Sequence, residues 1–300
     1  MSNARSISRR TFLVGGTGLA SAMILGGCDK FAATETGKNV LSLGEDANLF
    51  VQRLLLTQTT LAPEFSEVEI SKVFKANGTE DPPDRTYKAL ARKKFADYRL
   101  EIGGLVEHPL KWSLSDIRAM ESRTQITRHD CVEGWSCVGK WTGVPLRLLL
   151  DQAGLMPNAR YIVLHCADTM EGGEADNEES DDGAAQKSQS KANMTKGDKS
   201  STAKDDKETD NKQKTPAIRY YETIDLTDAY HPQTILAYDM NGATLPIPHG
   251  APLRLRVERA LGYKMAKFVM KLEVVDDFSK FGDGKGGYWE DRGYDWYAGI

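Results

Sequence analysis

RHDCVEGWSC, residues 128–137 of the 300-residue chain, is the stretch from which the fold can be inferred. It places Cys131 close to His129 and Glu133, and Cys137 follows within the same stretch. A cysteine in such surroundings could be a soft metal ligand, a nucleophile or half of a disulfide. The residues alone leave a disulfide and a metal site equally open. A zinc site is poorly supported, because the sequence contains no second paired-cysteine module.

Working outward, further blocks of sequence accompany this stretch in a fixed order. They read WTGVPL at 141–146, TILAYDMNG at 234–242, HGAPLR at 249–254 and GYKMAK at 262–267. Together the blocks resemble the sulfite-oxidase-type molybdopterin-binding oxidoreductases, and within them the bacterial periplasmic methionine-sulfoxide reductase catalytic subunits. The resemblance extends over roughly 98–276, apart from an insertion.

The resemblance implies a fold and a cofactor. The implied fold is of the α+β class, a single domain of mixed β-sheets with flanking helices. The implied cofactor is molybdenum–molybdopterin, and Cys131 matches the family's molybdenum-ligating cysteine. Coordination to the metal would keep that thiol deprotonated.

The same resemblance implies further cofactor contacts. His249 matches a polar contact, and Arg254 matches a basic residue whose guanidinium fork can grip the pterin phosphate. Lys267, with the backbone of Met265 and Ala266, matches the segment that cradles the phosphate end. We therefore expect these five residues to lie around one site.

Three further residues match the family pattern only in part. Cys166 stands where the reductases have a small hydroxyl residue near the pterin, so this chain departs from the pattern there. Asn77 corresponds to an upstream cofactor contact in a poorly matching region. Glu133 is either a structural hydrogen-bond acceptor or a catalytic group that manages protons beside the metal.

Charge and cysteine content exclude other classes. The chain has 43 Asp and Glu against 39 Lys and Arg, which argues against nucleic-acid binding. Its four cysteines are too few for a disulfide scaffold of this length.

The N-terminus predicts export. SRRTFL at 8–13 precedes a weakly apolar run that is too short to span a membrane, which indicates a twin-arginine signal and a periplasmic location. LGGC at 25–28 resembles a lipoprotein box, so we expect a lipid anchor at Cys28. The alternatives are a generic secretory signal and a cleavage site with an incidental cysteine.

The predicted domains are a signal peptide at 1–27, an N-terminal extension at 28–97 and the oxidoreductase domain at 98–300. Within that domain, residues 171–214 are polar and contain no aromatic residue, which predicts a disordered surface insertion. A solvated loop is the simplest role for the insertion, and a partner-docking tether is the alternative. The aromatic C-terminus at 286–300 is expected to pack over the domain.

Local patterning predicts several elements. The predicted helices are 46–58, 114–120 and 144–153, with Pro145 near the start of the last and Gly154 after its end. The predicted strands are 98–106, 161–164, 234–238, 253–257 and 268–275, and strand-like sequence resumes at Ile218.

The implied reaction is two-electron oxygen-atom transfer to or from sulfur. Sulfite oxidases carry paired arginines shortly after the cysteine, but this chain has SCVGK at 136–140 and an acidic Glu133. This difference favours a neutral sulfoxide, small or protein-bound, as the substrate. The alternatives are a sulfite dehydrogenase passing electrons to a cytochrome and a cofactor-free binding lipoprotein.

No haem-attachment motif or nucleotide-binding loop is present, so we expect a membrane haem or quinol-linked subunit as electron partner.

Overall fold

The computed structural model describes residues 34–171 and 218–300. The predicted export signal, the Cys28 lipidation site and nearly all of the predicted insertion lie outside the described residues. The chain divides into two compact units, one ending at Thr57 and a larger one beginning at Gln58. The larger unit therefore includes residues 58–97, which the sequence analysis placed in the extension. The domain limits themselves stay a prediction.

In the described part of the smaller unit, residues 34–57, the chain forms a long helix, α1, Glu35–Leu55. Its N-terminus is capped by Thr34, whose side chain accepts a hydrogen bond from the Gly37 N–H at 3.0 Å. The helix starts well before the predicted 46–58, because Gly37 and Gly44 weaken the sequence signal of its first turns. Within the two described ranges, no helix is both long enough and apolar enough to cross a membrane.

The first sheet of the larger unit has five strands and mixed pairing. The strands are β1 (Arg99–Gly104), β2 (Leu110–Ser113), β5 (Tyr161–Glu171), β6 (Ile218–Asp225) and β10 (Val269–Val275). Their order is β2-β1-β10-β5-β6. β1 and β10 pair in parallel, whereas the other neighbours are antiparallel.

The second sheet supports the site. Its strands are β3 (Arg123–Cys131), β4 (Trp135–Pro145), β7 (Ile235–Met240), β8 (Ala243–Thr244) and β9 (Arg254–Arg256). The order is β3-β4-β7-β8, and β9 pairs with β7. β3 and β4 form a long hairpin closed by Val132–Gly134, so the motif around Cys131 lies at its tip.

Short helices flank the sheets. They are α2 (Arg85–Arg92), α3 (Leu114–Ala119), α4 (Leu146–Ala153) and α5 (Leu226–Ala229). Ser113 caps α3 through a capping box, and Gly154 ends α4 with a φ of 67°, a region that favours glycine. Apolar side chains of both sheets and of α4 form one core cluster. The predicted α+β class with mixed sheets is confirmed.

Most predicted elements of this unit are present with shifted ends. The helices at 114–120 and 144–153, and the strands at 98–106, 161–164, 234–238, 253–257 and 268–275, all correspond to observed elements. The helix α2, the strand β2 and the β3–β4 hairpin were not predicted as secondary structure from the sequence. The buried face of β3 carries Gln125, Thr127 and His129, so its alternation is not one of hydrophobicity.

Candidate active site

Cys131 ends β3 at the tip of the hairpin. Its carbonyl accepts a hydrogen bond from the Gly134 N–H at 3.0 Å, and Gly134 has a φ of 84° that closes the turn. The residue is 9% exposed, and burial raises the pKa of its thiol. Cys131 and Cys137 are both free thiols, placed opposite Trp135 and His129 respectively. The structure therefore contains no disulfide between Cys131 and Cys137.

The thiol opens into a cleft of about 610 Å³, counting the part open to solvent. The lining includes Asn77, Cys131, Glu133, Met265, Ala266 and Lys267 from the predicted set, together with Gly78, Thr79, Val132, Asp168, Met170, Tyr220, Gly262, Tyr263 and Trp289. Six of the predicted site residues thus meet around one space.

Lys267 holds the segment Asn77–Thr79 at the cleft through hydrogen bonds to its backbone carbonyls. Its Nζ donates to the carbonyls of Asn77 at 2.6 Å, Pro248 at 3.0 Å and Thr79. Burial and the nearby Arg254 lower the pKa of Lys267 to about 7. The poorly matching region around Asn77 is therefore part of the site, held there by the lysine.

Arg254 is completely buried on β9 and, like His249, is not one of the residues that line the cleft. Its Nη1 donates to the His249 carbonyl at 3.2 Å, and its guanidinium lies over the Trp141 ring, 5.3 Å from the centroid. The Nε and Nη2 atoms have no hydrogen-bond partner among the described residues. Burial and Arg256 lower the pKa of Arg254 to about 9. Two donors on one guanidinium edge are thus available to an anion.

Arg256, the other arginine of β9, differs from Arg254 in its hydrogen bonding. Its guanidinium donates to both carboxylate oxygens of Glu258, at 2.9 and 2.6 Å, and stands 4.4 Å from the Trp141 centroid. Both arginines are buried in β9, and neither faces solvent. Arg256 is a structural ion pair, and Arg254 is the arginine with free donors.

Two histidines complete this group. His129 is buried on β3, with Nδ1 3.2 Å from the Met265 sulfur, and His249 is half-buried. His129 Nε2 and His249 Nδ1 are both buried without a hydrogen-bond partner within the described ranges. The ring of Phe74 packs against both, with centroids 5.8 and 5.6 Å away. Burial lowers the pKa of His249 to about 4, so its ring is neutral at ordinary pH.

Asp168 is a lining residue that the sequence analysis missed. Its side chain is nearly fully buried, and its Oδ1 atom has no hydrogen-bond partner in the part of the chain described. Burial raises the pKa of this carboxyl to about 6. Asp168 lies at the irregular end of β5, where the strand register shifts. It belongs to none of the sequence motifs described above, so the sequence did not predict it.

Glu133 lies at the rim, where its side chain is 53% exposed. It accepts hydrogen bonds from the Trp135 ring N–H at 2.9 Å and from Lys75 Nζ at 3.4 Å, and both lower its pKa. Glu133 is therefore ionised and adds negative charge beside Cys131. It fits both the structural and the catalytic role left open above.

Cys166 does not join these residues. It lies on β5 in the main hydrophobic core, 2% exposed, and burial raises the pKa of its thiol. It is not one of the residues that line the cleft. The cofactor contact suggested for Cys166 therefore has no geometric support.

The unpaired polar atoms allow a test of the implied cofactor. A phosphorylated pterin needs donors for its phosphate and both donors and acceptors for its heterocycle. Arg254 and the histidines supply buried groups without partners, and the Oδ1 atoms of Asn77 and Asp168 supply acceptors. Unpaired buried polar groups are costly in a folded protein, and a polar ligand removes that cost. The residues present fit the group.

Comparison with known proteins agrees with this geometry. The model of the oxidoreductase molybdopterin-binding domain family matches residues 87–192 and 183–281. A protein of Azospira oryzae with the provisional name protein-methionine-sulfoxide reductase subunit YedZ1 is 31% identical over 292 residues, which cover 97% of this chain and 88% of that protein.

More distant relatives share part of their length. The protein-methionine-sulfoxide reductase catalytic subunit MsrP of Xanthomonas axonopodis pv. citri is 28% identical over 63% of this chain and 48% of its own. MsrP of Ralstonia nicotianae is 26% identical over 71% and 53% respectively. The chain thus spans about half the length of these two relatives.

A solved structure, the sulfane dehydrogenase SoxCD from Paracoccus pantotrophus, aligns with a TM-score of 0.42 and 21% identity. It covers 64% of this chain and 45% of SoxCD, a similarity too low to inform function. The family match and the Azospira relative are sufficient without it. The chain belongs to the oxidoreductase family with a molybdopterin-binding domain, as the motifs around Cys131 predicted.

Proposed function

We propose that this oxidoreductase reduces a sulfoxide, such as methionine sulfoxide, by two-electron oxygen-atom transfer at a molybdenum–molybdopterin cofactor. The observation that carries the proposal is the position of Cys131. Its thiol lines a cleft surrounded by buried donors and acceptors that have no partners among the described side chains. The relatives that carry the name methionine-sulfoxide reductase support the same reaction.

Each residue has a specific role in holding the cofactor. The Cys131 thiolate is the metal ligand, and Arg254 Nε and Nη2 bind the phosphate as a fork. Lys267 orders the Asn77–Thr79 backbone at the cleft, and the Asp168 and Asn77 oxygens accept hydrogen bonds from the heterocycle. When bound, the group supplies the two-electron redox chemistry, and the protein orients it and shapes the pocket.

Charge in the cleft favours a neutral substrate. Lys267 is the one cation among the described lining residues, and its Nζ already donates to three carbonyls. Glu133 and Asp168 add carboxyl groups to the same space. Sulfite is an anion and would be repelled, whereas a sulfoxide is neutral. The apolar walls of Met170 and Trp289 suit the alkyl groups of such a substrate.

The electron supply and the location are further parts of the proposal. We propose that a separate membrane haem or quinol-linked subunit delivers the electrons and that the enzyme works in the periplasm. The twin-arginine sequence and the lipoprotein box at Cys28 support this location. Mass spectrometry of the mature protein would detect an acylated Cys28, and a mature chain beginning at another residue would refute lipidation.

A paired assay tests the reaction. Purified enzyme with a dye reductant should reduce methionine sulfoxide, so that sulfoxide, two electrons and two protons give sulfide and water. The same enzyme with an electron acceptor should oxidise sulfite far more slowly. Sulfite oxidation faster than sulfoxide reduction would overturn the substrate assignment in favour of a sulfite dehydrogenase.

A further inference from the structure

A charged cluster is buried behind the cleft. Glu222 on β6 and Glu290 near the C-terminus are both fully buried, and both contact Lys264. Lys264 Nζ lies 2.5 Å from a Glu222 oxygen and 2.6 Å from a Glu290 oxygen. We call these three residues the acid–lysine cluster. One ammonium balances one carboxylate, so the fully ionised cluster would hold an uncompensated charge in the interior.

The crowding of carboxyl oxygens in the cluster indicates a bound proton. Glu290 Oε2 has no hydrogen-bond partner within the described structure. Both carboxyl groups approach Gly287, where an added Cβ would lie 2.0 Å from Glu290 Oε2 and 3.0 Å from Glu222 Oε1. A proton on Glu222 would remove the excess charge and provide a donor where acceptors are crowded. Burial and the Glu290 carboxyl raise the pKa of Glu222 well above its ordinary value.

Lys264 is the cation that contacts both carboxyl groups, and the other neighbours of the cluster are neutral or acidic where their charge is defined. Tyr220, Tyr221 and Cys166 act on it electrostatically, and burial raises the pKa of all three, so they are neutral. Asp291 accepts a hydrogen bond from Tyr221 at 2.7 Å and adds negative charge. The Trp296 ring lies 5.4 Å from Lys264 Nζ. The balance of charge therefore also favours a protonated carboxyl.

Tyr220 connects the cluster to the cleft. Its hydroxyl lies 3.4 Å from Glu222 Oε2 and donates to the Tyr263 carbonyl. Tyr220 and Tyr263 line the same cleft as Cys131. A hydroxyl can give its proton to one neighbour while it accepts a proton from another.

We propose that the acid–lysine cluster stores a proton and passes it through the Tyr220 hydroxyl to the cleft. The inference rests on the proposed function, since reducing a sulfoxide to sulfide and water consumes two electrons and two protons. The electrons come from the separate donor. The cluster supplies one proton through Tyr220, which regains its own from Glu222, and solvent in the open cleft supplies the other. Between turnovers the same solvent returns a proton to Glu222 through the Tyr220 hydroxyl.

Infrared spectroscopy of the full chain as purified tests the stored proton directly. At about pH 8, well above the ordinary carboxyl pKa, the wild type should show the carbonyl stretch of a protonated carboxylic acid. Glu222→Gln and Glu290→Gln should each lose the band, because the remaining carboxylate pairs with Lys264. Asp168→Asn is the matched control and should keep it. A wild type without the band, or a band that survives both substitutions, would overturn the inference.

The route is tested by the deuterium shift of the same band after transfer into D₂O. Tyr220→Phe should slow this exchange several-fold, whereas Tyr221→Phe, a matched loss of one hydroxyl outside the cleft, should not. Equal exchange rates in Tyr220→Phe and wild type would refute the route through Tyr220.

Turnover separates this inference from the proposed function. In the holoenzyme, Glu222→Gln should lower kcat for sulfoxide by at least about tenfold with little change in KM, as expected for loss of a proton donor. Wild-type enzyme that reduces sulfoxide but lacks the infrared band would refute the proton store and leave the proposed function intact. A band in protein that reduces no sulfoxide would refute the proposed function alone.

Discussion

At the scale of single residues, Arg254 carries the clearest evidence of an anion-binding role. Changing Arg254→Gln removes the charge and the two unpaired donors. Two charge-assisted hydrogen bonds of about 1.5–3 kcal/mol each would be lost, so cofactor binding should weaken by at least about a hundredfold. Molybdenum and pterin content per purified chain measures the effect.

The exposed Arg160→Gln provides the matched control, since it removes the same charge away from the cleft. The Arg254 variant should fold as stably as the wild type without cofactor, because a buried cation is removed. Full cofactor content in Arg254→Gln would show that the phosphate is held elsewhere.

Asp168 predicts a pH dependence of stability. Its folded-state pKa is about 6 and its ordinary value is 3.8, so the folded chain binds a proton that the unfolded chain releases between those values. Stability without cofactor is therefore lost as pH rises from about 4 to 6, by up to about 3 kcal/mol. Asp168→Asn should be more stable than wild type near neutrality and equal to it below about pH 4.

Urea unfolding of the cofactor-free proteins at several pH values measures this difference. A variant less stable than wild type at neutral pH would mean that the Asp168 carboxylate has a compensating partner.

Most site residues were predictable from sequence, but for different reasons. Cys131 and Lys267 stand in motifs that match the family, and both line the cleft. Cys166 matched by position alone and lies in the core instead. Asp168 and Phe74 were missed because neither stands in a motif, and only the folded chain brings them to the site.

At the scale of elements, the β3–β4 hairpin shows why hydrophobic patterning did not predict the strands that form the site. The inward face of β3 consists of Gln125, Thr127, His129 and Cys131. The first three contact Arg256 or its partner Glu258. Hydrophobic periodicity finds strands that pack against an apolar core. A strand that builds a polar site lacks that signal.

The turn at Gly262–Lys264 predicts a strict steric requirement. A Cβ on Gly262 would lie 2.4 and 2.5 Å from the His129 ring atoms Cε1 and Nε2. Gly262→Ala should therefore displace either the turn or His129 and lower both thermal stability and cofactor content. Thermal unfolding with molybdenum analysis measures both effects.

Gly103→Ala is the control, since no atom lies within 4 Å of the Cβ that it would add and no positive φ is required there. Equal behaviour of the two alanine variants would contradict the close packing of the turn on His129.

At the scale of the whole molecule, the order of the motifs along the chain predicted the fold, which local hydrophobic patterns could not do. The parallel pair formed by Glu101–Gly104 and Lys271–Val274 joins segments from opposite ends of the domain. No local periodicity predicts such a pairing, and only the resemblance over the whole domain implied the fold.

The insertion can be tested at the same scale. Glu171 and Ile218, which lie on either side of residues 172–217, are register partners in the β5–β6 ladder. Because the ends already meet, replacing residues 172–217 with a short glycine-containing turn should leave thermal stability and cofactor content near wild type. Loss of folding in the shortened chain would show that the insertion contributes to the domain.

The central claim is that Cys131 binds molybdenum in this cleft, and X-ray absorption at molybdenum tests it most directly. Wild-type protein purified with its maturation system should hold near-stoichiometric molybdenum. Cys131→Ser should show one fewer sulfur neighbour around any metal retained and no sulfoxide turnover. Wild-type protein without molybdenum, or an unchanged sulfur count in Cys131→Ser, would contradict the account.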